Sequence, residues 1–105
     1  MPQIPDKPEL QNYQHFVQQL EIERGFDHQT VLEKCLMLGE EVGELFKAIR
    51  KRENIKIDPN SKTGDVAEEL ADVFLFLCSI ANRYDIDLAS AIEEKEGKNR
   101  LRKWV

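Results

Sequence analysis

Between Val31 and Ile49 the apolar side chains Val31, Leu32, Cys35, Leu38, Val42, Leu45, Phe46 and Ile49 return every three or four residues, the spacing that draws one stripe along an α-helix. The same period links Tyr13, Phe16, Val17 and Leu20, and no useful stretch alternates apolar and polar residues with the period of two that a half-buried strand needs. The chain is therefore expected to be all-α, a bundle of four helices with short connections. The first runs from Glu9 to Arg24 and stops at Gly25, the residue best suited to a left-handed C-cap. The second runs from about His28 to Arg52, with Lys47, Arg50, Lys51 and Arg52 gathered where the macrodipole favours cations. Asp58-Pro59-Asn60-Ser61 and Gly64 are turn chemistry. Asp65 with Glu68 has the spacing of a capping box and opens a third helix to about Tyr84, and Asp87 caps a fourth from Leu88 to about Lys98. Residues 1–8, with Pro2, Pro5 and Pro8, form an N-terminal arm, and residues 9–105 form one domain.

The third helix is apolar nearly all round from Val73 to Ile80, so it has to be covered on more than one side. A chain of 105 residues buries only about 60–68% of its unfolded surface, and three other short helices do not supply that cover. A homo-oligomer, dimer or tetramer, with helices of two chains sharing one core is the expected solution; a central helix in a monomeric bundle is the alternative. The run is far too short for a bilayer, which takes about 20 residues, and Met1–Leu10 lacks a signal peptide's apolar core. No membrane partner and a cytoplasmic location are expected. Cys35 and Cys78 each lie in an apolar helical stretch and read as small buried hydrophobes.

Twenty acidic against fifteen basic side chains give a net charge of −5, which disfavours a nucleic acid polymer as partner because phosphate attachment relies on surplus Lys and Arg. The acids concentrate in two places. Glu40-Glu41-Val42-Gly43-Glu44 stands in the second helix and Glu68-Glu69-Leu70-Ala71-Asp72 in the third. Residues three apart share a helix face, so Glu41 with Glu44, and Glu69 with Asp72, each set two carboxylates one turn apart. Like charges at that spacing weaken a helix by a few tenths of a kcal/mol, and Gly43 costs about 1 kcal/mol more relative to Ala. Two readings fit: solvated helix faces, or a cation held where the two helices pack antiparallel. A cation held by carboxylates alone is a hard one, Mg²⁺ or Mn²⁺. A di-iron carboxylate site wants Glu-x-x-His pairs, and neither His15 nor His28 follows a Glu by three.

At the other end, Lys98-Asn99-Arg100-Leu101-Arg102-Lys103-Trp104 holds four basic residues and no acidic one. It reads either as a basic helix end complementing the macrodipole, with Trp104 docked on the core, or as an anion site in which Lys and Arg hold phosphates and Trp104 stacks on a base.

Taken together, Glu40-Glu41-x-x-Glu44 followed by Glu69-x-x-Asp72, the contexts Gly39 to Leu45 and Glu68 to Val73, the late Lys95, Asn99, Arg102 and Trp104, and Arg24-Gly25-Phe26 resemble the MazG-like, all-α nucleoside triphosphate pyrophosphohydrolases over roughly residues 10 to 104. The resemblance implies a four-helix MazG-like bundle completed by oligomerisation, and Mg²⁺-dependent cleavage of a nucleoside triphosphate between the α and β phosphates to a monophosphate and pyrophosphate. It makes Glu41, Glu44, Glu69 and Asp72 metal ligands. Glu40, with Glu41, becomes a catalytic carboxylate that orients or deprotonates water, and Lys95, Asn99, Arg102 and Trp104 contact substrate, from the same or a neighbouring subunit. The chain has one such domain rather than the doubled domain of full-length bacterial MazG, and its first helix offers Tyr13, His15 and Phe16, with Phe26 just beyond, but no tryptophan for a base. A non-catalytic oligomerisation or partner-binding module on the same scaffold is the alternative.

Overall fold

Four helices account for most of residues 9–102, the residues described in the computed structural model: α1 (Leu10–Arg24), α2 (Val31–Arg52), α3 (Val66–Arg83) and α4 (Leu88–Arg100). Their ends follow local chemistry. Gly25 takes φ 74°, and the Phe26 amide reaches back to the Glu21 carbonyl at 2.8 Å, closing α1 in a left-handed cap. The Asp65 carboxylate accepts the Glu68 amide at 2.8 Å, and Asp87 accepts the Ser90 amide at 3.0 Å, so two of the predicted caps are formed. The second helix begins at Val31 rather than His28 because Thr30 is its cap, accepting the Glu33 amide at 3.1 Å.

The main packing is α3 against α2, with α1 laid across α3 and α4 resting chiefly on α1. Lys34 meets Phe76 whereas Glu41 meets Glu69 and Asp72; positions that climb along α2 meet positions that descend along α3, so the two helices are antiparallel. Tyr13 of α1 sets its ring edge-on to Phe74 of α3, centroids 5.8 Å apart at 86°.

A largely enclosed arginine ties three segments together. Arg83, near the end of α3, donates to Glu21 of α1 through both terminal nitrogens, at 3.1 and 2.6 Å. It also donates to the Gln29 carbonyl at 2.9 Å and the Phe26 carbonyl at 3.1 Å in the α1–α2 connection. Ser79 Oγ accepts from it at 2.7 Å. The rigid guanidinium fork suits this many-partner role. Lys34 adds a second positive charge to Glu21 at 3.7 Å.

Cys78 is fully buried, and burial pushes its thiol up to about 11. Cys35 is exposed, which corrects the expectation that both cysteines are buried. The stripe of α2 that packs runs through Lys34 and Ala48, and Cys35 falls on the outer side with the exposed Leu32, Leu36 and Phe46.

Apolar burial within one chain is thin: among the described residues only Val17, Ala48, Cys78 and Ala81 form the fully buried apolar set. Leu77 is 43% and Ile92 57% exposed, and they share an apolar concavity with Phe74, Ile80 and Ile86. The radius of gyration, 16.4 Å, exceeds the ~13 Å of a compact 100-residue domain.

Burial alone would raise the Glu21 carboxyl, but hydrogen bonds from Arg83 and Ser79 and the charges of Arg83 and Lys34 outweigh it and hold the group below its ordinary 4.5. A depressed carboxyl adds stability above its unfolded value and loses it as pH falls through the folded one. Glu21→Gln should therefore cost about 3 kcal/mol at neutral pH, where it strands buried cations. In urea unfolding followed by circular dichroism, its stability should converge with wild type as pH falls below about 4.5.

Candidate functional site

Antiparallel packing of α2 on α3 brings Glu41, Glu69 and Asp72 together, with one carboxylate oxygen from each lying within 4.8 Å of the others. Glu69 is 8% exposed, Glu41 partly buried and Asp72 exposed, so the group opens to solvent on one side. No basic side chain is paired with these three carboxylates among the described residues. The electrostatic consequence is legible in Glu41: burial, then the charges of Asp72, Glu69, Glu44 and Glu40, push its carboxyl above the ordinary range.

The donor set is oxygen only, as a hard divalent cation requires. Two ligands on opposite sides of a Mg²⁺ ion lie about 4.2 Å apart at Mg–O distances near 2.1 Å, so a small side-chain movement closes the observed triangle onto one ion. The residues present fit such a cation, and their mutual repulsion gives it a reason to bind.

The remaining sequence-predicted residues fall as follows. Glu44 lies outside the close triangle and pairs with Lys47 at 3.7 Å, yet is near enough to add its charge to Glu41. Glu40 is exposed beside Glu41. Lys95 is exposed on α4, and Asn99 on the same helix holds a buried Oδ1 with no hydrogen-bond partner among the described residues. Arg102 is exposed just beyond α4. Since α4 rests chiefly on α1, these groups are not part of the α2–α3 carboxylate cluster within one chain. Trp104 and the N-terminal arm, residues 1–8, lie outside the described residues. A Cβ added at Gly43 would meet nothing within 4 Å, so the room there is not taken up by a neighbouring helix of the same chain.

Two features of the site have no signature in the sequence. Gly64, in the loop entering α3, lies so close to Glu69 that a Cβ there would collide with Glu69 Oε1 and stand 2.9 Å from Glu68 Oε2. The absence of a side chain is what leaves the buried Glu69 carboxylate its position. Beside the cluster, a cavity of about 200 Å³ is bounded by Val17, Leu20, Glu21 and Arg24 of α1, Phe26, Lys34 and Met37 of the next segment, and Asp72, Leu75, Phe76 and Ser79 of α3. Asp72 thus belongs to both the acidic cluster and the cavity wall.

The family model for the MazG nucleotide pyrophosphohydrolase domain matches residues 26–104. Among solved structures, the crystal structure of iMazG from Vibrio DAT 722 is similar to this chain at 31% identity and a TM-score of 0.69, over 91% of this chain and 98% of that one. No curated protein matches.

Asp72→Asn should raise the melting temperature of the metal-free protein in chelator, by an amount corresponding to a few tenths of a kcal/mol, because it removes one of several crowded like charges. It should also abolish the rise in melting temperature on adding Mg²⁺. Gly64→Ala should weaken Mg²⁺ binding by on the order of tenfold, the effect seen when support of a metal ligand is disturbed; isothermal calorimetry measures it, with helicity checked by circular dichroism.

Proposed function

On the premise that the chain belongs to the MazG nucleotide pyrophosphohydrolase family, we propose that it is a Mg²⁺-dependent nucleoside triphosphate pyrophosphohydrolase. In this role it cleaves between the α and β phosphates and clears or balances soluble nucleotides in the cytoplasm. The convergence of Glu41, Glu69 and Asp72 from two helices, with no basic side chain paired to them among the described residues, carries the proposal. With Glu44 they would hold Mg²⁺, for which Mn²⁺ is a natural substitute. When bound, the ion supplies Lewis-acid polarisation of phosphoryl oxygens and makes water more acidic. Glu40, exposed beside the cluster, together with Glu41 orients the attacking water and takes its proton. The water oxygen bonds to the α phosphorus, the bond from that phosphorus to the bridging oxygen breaks, and pyrophosphate leaves. Lys95, Asn99, Arg102 and Trp104 are proposed to meet the phosphates, sugar or base from a neighbouring subunit, the basic groups offsetting the charge that develops on pyrophosphate.

That arrangement gives the incomplete apolar cover of α3 and α4 a purpose: a second copy seated on Leu77, Ile86 and Ile92 would complete both core and site, as a dimer or as a tetramer of two such pairs. No helix among the described residues is long and apolar enough to cross a membrane.

Incubation with a panel of deoxynucleoside triphosphates and Mg²⁺, with products separated by chromatography, should yield monophosphate and pyrophosphate. Orthophosphate as the released product would refute the cleavage position, and no turnover of any nucleotide would point to a non-catalytic binding module. Sedimentation velocity at micromolar concentration should give a mass at least twice the 12.2 kDa of the chain; a monomer would contradict the shared core.

A further inference from the structure

One stripe of α2 continues past the carboxylate cluster with the opposite charge. Glu40, Glu44, Lys47 and Lys51 follow one another at steps of four, three and four, so they share a helix face that passes from acid to base. At a rise of 1.5 Å per residue, Lys47 and Lys51 stand about 4.5 and about 10.5 Å beyond Glu44 along the axis. Helical side chains lean back toward the N-terminus, here toward the acids. Lys47 Nζ lies 3.7 Å from Glu44 Oε1, with the two side chains 42% and 40% exposed. An exposed pair of this kind is weak and readily exchanged for a stronger partner. The macrodipole does not explain Lys47, because its effect fades within the last turn, and that turn holds Arg50, Lys51 and Arg52. Arg50 is used by the fold, donating to the Lys56 carbonyl at 2.6 Å. Lys51 is exposed, and the end carbonyls of Ile49, Arg50 and Lys51 already accept the amides of Glu53, Ile55 and Asn54.

We propose that Lys47 and Lys51 seat the terminal phosphates of the substrate, the pyrophosphate end, on the same helix that offers Glu41 and Glu44 to the cation. The assignment rests on the nucleotide substrate proposed above and extends it. Within one chain the groups of α4 are not part of the α2–α3 cluster, whereas Lys47 reaches that group of acids through Glu44. With Glu44 engaged by a cation, the Lys47 ammonium turns to phosphate oxygens, which accept charge-assisted hydrogen bonds. Lys51, one turn further on, meets the far end. Two compact, rotatable ammonium groups can follow the pyrophosphate as it leaves and offset the charge that develops on it.

Inorganic pyrophosphate is the probe, since it presents the terminal phosphates without base or sugar. In calorimetry with Mg²⁺ the wild-type protein should bind it, and the double variant Lys47→Met, Lys51→Met should bind it about tenfold or more weakly. Replacing both by Arg, which keeps the charges, should restore the affinity to within about threefold of wild type. Single variants of adjacent residues separate the stripe from bulk charge. Lys51→Met should cost about threefold or more, whereas Arg52→Met, on another face of the same turn, should cost nothing. Mn²⁺ binding by the double variant should match or exceed that of wild type, because Glu44 loses a competing cation. Should the double variant lose helicity by circular dichroism, the two single variants decide. Equal losses for Lys51→Met and Arg52→Met, or undiminished affinity in the double variant, would overturn the stripe. A wild-type protein that turns over nucleotides without binding pyrophosphate would overturn it too, and leave the hydrolase standing. Pyrophosphate binding that the double variant loses, in a protein that hydrolyses no nucleotide, would uphold the stripe and refute the hydrolase; neither binding nor turnover would refute both.

Discussion

Three carboxylates from two antiparallel helices cannot be gathered within 4.8 Å of one another without an electrostatic cost, and that cost organises the rest of the molecule. The packing of α3 against α2, the main helix–helix contact of the chain, holds the acidic faces together. The raised carboxyl of Glu41 records the repulsion that remains. A divalent cation turns that repulsion into attraction, so binding and local stability are linked in the same residues. Gly64 extends the design into the loop before α3: the backbone comes so near Glu69 that a Cβ there would displace its carboxylate.

A second polar assembly lies a few turns away and works in the opposite sense. Glu21 is buried between Arg83 and Lys34, its negative charge more than matched. Arg83 uses its remaining donors to fasten the α1–α2 connection, which positions Phe26 and Lys34 at the cavity. The two assemblies meet at that cavity, which Asp72 of the acidic cluster lines together with Glu21 and Lys34.

Local chemistry was legible in the sequence and tertiary placement was less so. The caps at Gly25, Asp65 and Asp87 depend on residues within five positions of each other, and each forms as expected. Thr30 caps α2, which starts at Val31, three residues later than expected, because the polar stretch before it has no apolar period to mark the boundary. The packed face of α2 was obscured for a different reason. It contains Lys34 and Glu41, so the apolar stripe that marks the helix is not the stripe that packs, and Leu32, Cys35 and Phe46 remain exposed. The spacing of Glu41, Glu69 and Asp72 placed them on suitable faces. Glu44 shares that spacing but turns to Lys47, three residues on. Glu21, Arg83 and Gly64 act through contacts across more than one element, or from a loop onto a helix, and no spacing rule reveals them.

Manganese titration followed by electron paramagnetic resonance tests most directly whether the α2–α3 carboxylates form a cation site. Free Mn²⁺ gives a six-line spectrum that fades on binding, so the wild-type protein should remove the signal with saturable stoichiometry, and Mg²⁺ should restore it by competition. Glu69→Gln, in a protein of unchanged helicity, should leave the ion free over the same range. Undiminished binding by that variant, or a wild-type protein that leaves the spectrum of free Mn²⁺ unaltered, would contradict the cation site.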